Sequence, residues 1–140
     1  LNAGSLGNVD GDVYCYYMGV STRDLGDLEE IGGHLSFNYC PYTNTVDLGS
    51  LIEIGSYLYL SNNDSLDSVD LSSLTDIGGY VYVYSNDDLD SISTWFGITR
   101  VGGDFTFLYN YQLSTSTINS LRDSIGTSNI GGTVNISNNG

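Results

Sequence analysis

Lysine is absent from this 140-residue sequence, and three arginines, Arg23, Arg100 and Arg122, are its only basic residues apart from one histidine. The sequence also contains 17 acidic residues, so its formal net charge is -14. This balance argues against nucleic-acid binding, which depends on cationic contacts with phosphates. It also excludes a P-loop lysine, a Schiff-base lysine and a polybasic membrane patch. No apolar run is long enough for a membrane span, and we expect no membrane insertion.

A short phrase, one apolar residue followed by two glycines or their equivalents, recurs along the chain. Its five clearest copies are Ile31-Gly32-Gly33, Ile54-Gly55-Ser56, Ile77-Gly78-Gly79, Val101-Gly102-Gly103 and Ile130-Gly131-Gly132, and Val9-Asp10-Gly11 is a weaker first copy. An alternating stretch such as Leu58-Tyr59-Leu60 follows each copy, and an Asn, Cys or Met comes three residues later. The consensus of the six copies is L-x-x-I-G-G-x-L-x-L-x-x-N-x-x-L.

Alternation with a period of two predicts a short strand with one apolar face, which a single coil cannot bury. Stacking coils of about 23 residues creates a continuous core beneath a parallel sheet of six short strands. We expect the glycine pairs to turn at positive φ, and the asparagines Asn63, Asn86 and Asn110 to point inward as a ladder. The return side should consist of turns and 3₁₀ segments, with one short helix at 117–125.

This repeat matches the leucine-rich-repeat pattern L-x-x-L-x-L-x-x-N/C-x-L in spacing and residue type. The stretch from Leu74 to Asn86, with its I-G-G-x-V-x-V core, resembles the receptor L-domain subgroup of those repeats. The resemblance covers nearly the whole chain and implies a right-handed, mainly β solenoid with little helix. It also implies extracellular recognition or adhesion, and hence an extracellular or cell-surface location.

Cys15 occupies a core position in its strand, whereas Cys40 takes the place of the inward asparagine in the next coil. The two positions are offset by roughly 10 Å along the strand direction, so we expect two buried free thiols rather than a disulfide. We expect residues 1–140 to form a single repeat domain of six coils. Neither end carries a polar capping segment, which favours an excerpt of a longer array or end-to-end association of copies.

The residues that flank the apolar positions of each strand should point outward, and most of the tyrosines fall among them. Tyrosine together with Ser, Asn and Asp is the composition of antibody paratopes, in which tyrosine supplies contact area at a low entropic cost. The alternative is that tyrosine simply suits an exposed strand. The predicted ligand-binding residues are Tyr14, Tyr16, His34, Tyr57, Tyr59, Tyr80, Tyr82, Tyr84 and Tyr109.

Support for catalysis is weak in this sequence. His34 is the only histidine, and Asp12 and Tyr57 should flank it on the neighbouring coils. There is no Ser-His-Asp arrangement with an oxyanion turn and no His/Cys metal spacing. The outward carboxylates of Asp12 and Asp104 should be about 19 Å apart, beyond the roughly 5–9.5 Å of a glycosidase pair. We therefore expect a protein that is not an enzyme.

Acidic residues also align between coils. Asp24, Asp47 and Asp70 align on the return side, whereas Glu30, Glu53 and Asp76 align before the glycines with Arg100 next. Stacked like charges repel, and bound calcium would relieve the repulsion. The other interpretation is a solvated acidic surface, which needs no cofactor.

Taken together, these features predict a non-enzymatic extracellular module that binds a protein or a glycan on its tyrosine-rich sheet. The alternative is a structural spacer within a larger surface protein, with or without stabilising calcium.

Overall fold

The computed structural model describes residues 7–19 and 21–140. The protein is mainly β and 14% helical, and its parallel strands stack as a β-solenoid with about 23 residues per turn. The predicted fold class is therefore confirmed. The predicted domain, residues 1–140, also includes positions 1–6 and 20, which lie outside the described residues.

Fourteen strands and one α-helix make up the described chain. In chain order, the strands are β1 (Asn8–Val9), β2 (Val13–Tyr16), β3 (Thr22–Asp24), β4 (Glu30–Ile31), β5 (Leu35–Asn38), β6 (Thr45–Asp47), β7 (Glu53–Ile54), β8 (Leu58–Ser61), β9 (Ser68–Asp70), β10 (Asp76–Ile77), β11 (Val81–Tyr84), β12 (Arg100–Val101), β13 (Phe105–Leu108) and β14 (Val134–Ser137). The α-helix, α1, spans Thr115–Ile125, and two 3₁₀ segments span Ser93–Gly97 and Thr127–Asn129.

Three parallel sheets form the sides of the solenoid. The largest has six strands in the order β14-β13-β11-β8-β5-β2, the second has five in the order β1-β4-β7-β10-β12, and the third contains β3, β6 and β9. Strand pairing joins equivalent positions of successive repeats, as where Leu58 is paired with both Leu35 and Val81. The predicted alignment of the repeats and the six-stranded sheet are thus confirmed.

The core lies between the sheets and combines inward strand residues with apolar residues of the turns and of α1. Within β8, for example, Leu58 and Leu60 are fully buried whereas Tyr59 between them is only partly buried. Trp95 is also fully buried, and its indole N–H donates a hydrogen bond of 2.9 Å to the carbonyl oxygen of Val69. Burial of apolar area of this kind is the main stabilising term for a solenoid, because each coil shares its core with its neighbours.

The expectation that the glycine pairs turn at positive φ was wrong. Among the described glycines only Gly126 has a positive φ. The repeated glycine is instead required by the close approach of neighbouring coils, because a Cβ at Gly78 would overlap the carbonyl oxygen of Gly55. In the same way, a Cβ at Gly102 would overlap the carbonyl oxygen of Gly78.

Positive φ occurs one residue after each strand of the six-stranded sheet. Six non-glycine residues adopt it, namely Tyr17, Tyr39, Asn62, Ser85, Tyr109 and Asn138. Strict alternation would place Ser85 in the core and Asn86 outside, but the left-handed residue interrupts the alternation and Asn86 is fully buried. The left-handed conformation costs roughly 1–2 kcal/mol for a residue other than glycine. The hydrogen bonds of the buried asparagine that follows offset this cost.

The asparagine ladder is confirmed and extends one coil further than expected. Asn63, Asn86 and Asn110 are buried, and each Oδ1 accepts the backbone N–H of the equivalent residue on the preceding coil. Asn139 completes the series, since its Oδ1 accepts the backbone N–H of Asn110 at 3.1 Å. Cys40 occupies the corresponding place at the other end, with its Sγ 3.6 Å from the carbonyl oxygen of Cys15. Both cysteines are buried and free, as predicted.

The return side differs from the prediction of turns and 3₁₀ segments. Three coils form strands there, and among the described residues the 3₁₀ segments are limited to Ser93–Gly97 and Thr127–Asn129. The strands arise because an inward residue lies between two polar ones, and Val46 and Val69 stack in register within the core. The helix begins at Thr115, two residues earlier than predicted, because the side chain of Ser114 accepts the N–H of Ser116 at 3.3 Å.

One buried residue on the return side is charged. Arg23 takes the position that Val46 occupies in the next coil, and only 1% of its surface is exposed. None of its three guanidinium nitrogens has a hydrogen-bond partner among the described residues. A buried charge is costly unless it is paired, which makes Arg23 a position to test by substitution.

Candidate functional site

All nine predicted ligand-binding residues lie on the strands of the six-stranded sheet or directly beside them. The inward neighbours Leu58, Leu60 and Val83 are buried, which fixes the direction of the intervening tyrosines. Tyr14 and Tyr16 have more than half of their surface exposed. The structure therefore brings the predicted residues onto one surface, which we call the tyrosine face.

His34, Tyr57 and Tyr80 form a ladder of stacked rings across three coils, which we call the first ladder. The ring centroids of His34 and Tyr57 are 4.4 Å apart with an interplanar angle of 7°. Tyr57 and Tyr80 continue the stack at 4.5 Å and 4°. Such pairs contribute roughly 0.5–1.5 kcal/mol beyond their buried area, so the stacking stabilises the arrangement of these partly exposed rings.

A second ring cluster lies beside the first ladder. Tyr59 and Tyr82 stack at 5.1 Å and 9°, and Tyr84 stacks beside Tyr82 at 5.8 Å. Tyr109 contacts Tyr84 edge-on at 5.5 Å. These four tyrosines extend the ordered aromatic surface towards the end of the sheet where the chain turns inward.

Tyr39 joins the tyrosine face although the sequence prediction did not include it. Its ring lies edge-on to that of Tyr16 at 6.1 Å, and about half of its surface is exposed. Tyr14 in turn contacts His34 edge-on at 6.2 Å, which links this group to the first ladder. The signal for Tyr39 was its place directly after a strand, where the left-handed turn keeps the side chain outside the core.

Carboxylates terminate the first ladder at both ends. Asp12 precedes it, and its Oδ1 accepts from the backbone N–H of His34 and lies 2.9 Å from the ring Nδ1. Asp104 follows the first ladder. The Oδ1 of Asp104 accepts hydrogen bonds from the backbone N–H of Thr133 at 2.7 Å and from its hydroxyl at 3.0 Å. The predicted flanking of His34 by Asp12 and Tyr57 is thus confirmed.

No family model matches the chain, and no curated protein or solved structure matches it significantly. The site is therefore interpreted from its own geometry.

A shallow depression opens at the end of the first ladder. Its volume is about 290 Å³, and it is lined by Tyr59, Tyr80, Tyr82, Asp104 and Thr106. The next coil supplies Asp104 and Thr106 at the positions where another pair of rings would continue the stacks. The lining of the depression therefore combines aromatic side chains with a carboxylate.

The phenol groups beside the depression are held in their neutral form. Burial raises the pKa of Tyr80, and the neighbouring Tyr57 and Tyr59 raise it further. The pKa of Tyr82 is raised by burial first and then by Tyr59 and Tyr84. These hydroxyls are protonated at neutral pH, as ordinary phenols are, and the raised pKa values extend that state to more alkaline pH.

The aligned acidic residues have structural partners. Oδ1 of Asp47 accepts the N–H of Gly49 at 3.0 Å, and Asp70 accepts the N–H of Ser72 at 2.9 Å in the next coil, so this column stabilises turns. Arg100 pairs with Asp76 at 2.6 Å, as the predicted alignment implies. Among residues 7–19 and 21–140, no three His, Cys, Asp or Glu side chains are grouped to hold a metal ion. No helix in this part of the chain is long and apolar enough to cross a membrane.

Proposed function

We propose that this protein is a non-enzymatic recognition or adhesion module of the leucine-rich-repeat, receptor L-domain type, which acts at the cell surface or outside the cell. Its ligand is a protein or a glycan, and it binds on the tyrosine face. The ladder of His34, Tyr57 and Tyr80, held in register on adjacent coils, is the observation that carries this proposal.

Several properties of the tyrosine face suit recognition. Its rings are already ordered by stacking, so little side-chain entropy remains to be lost when a ligand binds. The frame of each repeat is nearly constant while the outward residues vary from coil to coil, from Ser36 to Tyr59 to Thr106 in a single column. Variation confined to one surface favours recognition over a purely structural role.

A structural spacer remains the second candidate function, and a specific observation favours it. The ring faces of Tyr57 and Tyr59 are engaged with other rings of the same chain. Stacking of this kind stabilises a sheet even when nothing binds to it. A spacer would therefore carry the same ladders, and a direct binding experiment must separate the two functions.

Screening the full chain against arrays of glycans and of extracellular proteins would identify a ligand, and a double variant would then map its site. Tyr59→Ala combined with Tyr82→Ala removes one stacked pair from the tyrosine face without removing core volume. We expect the affinity for the array ligand to fall at least tenfold while circular dichroism stays unchanged. The matched control combines Tyr42→Ala with Tyr111→Ala, two exposed tyrosines outside the six-stranded sheet.

Unchanged affinity in the Tyr59/Tyr82 variant would show that the ligand binds elsewhere and would overturn the proposal. Binding of the wild-type chain to no ligand on either array would favour the spacer. Equal losses in the test and control variants would likewise contradict a site on the tyrosine face.

A further inference from the structure

The depression at the end of the first ladder differs from the rest of the tyrosine face. Along the direction in which the coils stack, the first ladder ends at Tyr80 and the pair of Tyr59 and Tyr82 ends at Tyr82. In the next coil, the aligned positions hold Asp104 and Thr106, so that coil adds no ring to either stack, and the only further ring beside Tyr82 among the described residues is that of Tyr84 on the same strand. Both rings line the depression of about 290 Å³ together with these two residues.

The chemistry of this depression selects for positive charge. The face of an aromatic ring is the negative end of its quadrupole and attracts a cation within about 6 Å of the centroid. Asp104 adds a carboxylate to the lining of the depression, and its Oδ1 accepts hydrogen bonds from the N–H and the hydroxyl of Thr133. Two ring faces and one carboxylate around a small open volume form an aromatic cage for a cationic group.

The charge of the whole chain reinforces this selection. With a net charge of -14 and no lysine, the protein attracts basic partners and repels acidic ones over the range of the Debye length. A neutral sugar would gain nothing from this field, whereas an arginine or lysine side chain would gain from the field, the rings and the carboxylate together.

We infer that the depression formed by Tyr80, Tyr82 and Asp104 binds an arginine or lysine side chain of a basic protein partner. This inference rests on the proposed function and narrows it, because it commits to a protein ligand rather than a glycan. Tyr80 and Tyr82 supply the ring faces, and Asp104 supplies the hydrogen-bonding counter-charge.

Peptides that differ only in charge would test the inference. The probe is acetyl-Gly-Arg-Gly-amide, and the matched probe replaces arginine with citrulline, which has nearly the same shape but no charge. Both are titrated into the isotope-labelled full chain while the backbone amide signals of Asp104 and Thr106 are followed by NMR. We expect saturable shifts with the arginine peptide and an affinity at least fivefold weaker with the citrulline peptide.

Two variants that each remove one negative charge test whether binding depends on the depression itself. Asp104→Asn keeps a side-chain oxygen for the N–H of Thr133, so the local turn is retained, and it should weaken binding of the arginine peptide at least fivefold. Asp87→Asn removes the same charge from an exposed position outside the depression and should leave the affinity within twofold. Tyr82→Leu, which removes a ring face but keeps the carboxylate, should also weaken binding at least threefold.

Equal affinities for the arginine and citrulline peptides would overturn the inference. So would equal losses in the Asp104 and Asp87 variants, because binding would then depend only on the general negative field. Tighter binding of a neutral tetrasaccharide at the same amide signals would overturn the cationic assignment while leaving the proposed function standing. The proposed function fails separately, if the Tyr59/Tyr82 variant binds an array ligand normally.

Discussion

The side-chain amide of Asn63 donates a hydrogen bond of 2.9 Å to Oδ1 of Asn86, one coil further along the solenoid. The same Oδ1 also accepts the backbone N–H of Asn63 at 3.2 Å. The Nδ2 of Asn86 donates to the carbonyl oxygen of Leu60 at 3.1 Å, so one buried side chain joins its own coil to both neighbours. The ladder thus satisfies buried backbone groups at the turn where each strand ends.

Replacing a rung of this ladder should destabilise the protein strongly. Asn86→Leu leaves the buried N–H of Asn63 without its acceptor and removes the hydrogen bond to the carbonyl oxygen of Leu60, and we expect the free energy of unfolding to fall by about 1–3 kcal/mol. Urea denaturation measures this change. Asn135→Leu, which alters an exposed asparagine on β14, should change stability by less than about 0.5 kcal/mol. An unchanged midpoint for Asn86→Leu would contradict the role of the ladder.

Replacement of Arg23 should have the opposite effect. Arg23→Met retains most of the buried volume and removes a guanidinium that has no described partner, so the free energy of unfolding should rise by about 1–3 kcal/mol. Differential scanning calorimetry would show the gain as a higher Tm. Arg122→Met, at a partly exposed arginine paired with Asp123, is the control and should not stabilise the fold. A loss of stability in the Arg23 variant would mean that its charge is compensated in the native state.

The repeated glycine should not tolerate even one methyl group. In Gly78→Ala the new Cβ would overlap the carbonyl oxygen of Gly55, and relieving the overlap would push two coils apart. We expect a loss of about 1–3 kcal/mol in the free energy of unfolding, measured by urea denaturation. Gly11→Ala has no atom within 4 Å of its Cβ and should be close to neutral. Similar effects at the two positions would refute close approach as the reason for the repeat.

Alkaline pH should weaken the fold through the tyrosine face. The pKa values of Tyr80 and Tyr82 are raised above the ordinary value of 10.0, so the native state favours the neutral phenols more than the unfolded state does. Their contribution to stability is constant below about pH 10 and is lost as the pH rises through the native pKa values. Unfolding midpoints measured from pH 7 to 11 should show this decline.

The double variant Tyr80→Phe with Tyr82→Phe removes the two ionisable hydroxyls but keeps the rings. It should show a shallower decline above pH 10 than the wild-type chain. An equally steep decline in both proteins would assign the alkaline sensitivity to other tyrosines.

Much of the tyrosine face could be predicted from the sequence. The period of two around Val81, Tyr82 and Val83 assigns each side chain to the core or to the solvent, and the repeat length brings Tyr59 beside Tyr82. Tyr39 was not among the predicted residues although it occupies the same place after its strand as Tyr109, and the depression was missed because it depends on where the ring stacks end. The ends of the stacks follow from side-chain positions across coils, which spacing alone does not describe.

The repeat by itself determined the solenoid, its strand register and the direction of the outward columns, because these follow from local periodicity and from coils of nearly equal length. Tertiary structure alone decided the rest. Gly78 is needed because of a carbonyl on another coil, Arg23 is buried because its column continues the valines, and the rings of His34, Tyr57 and Tyr80 stack because neighbouring strands place them at stacking distance. Each depends on atoms 22 or more residues apart in the chain, at distances that only the packing of coil on coil can set.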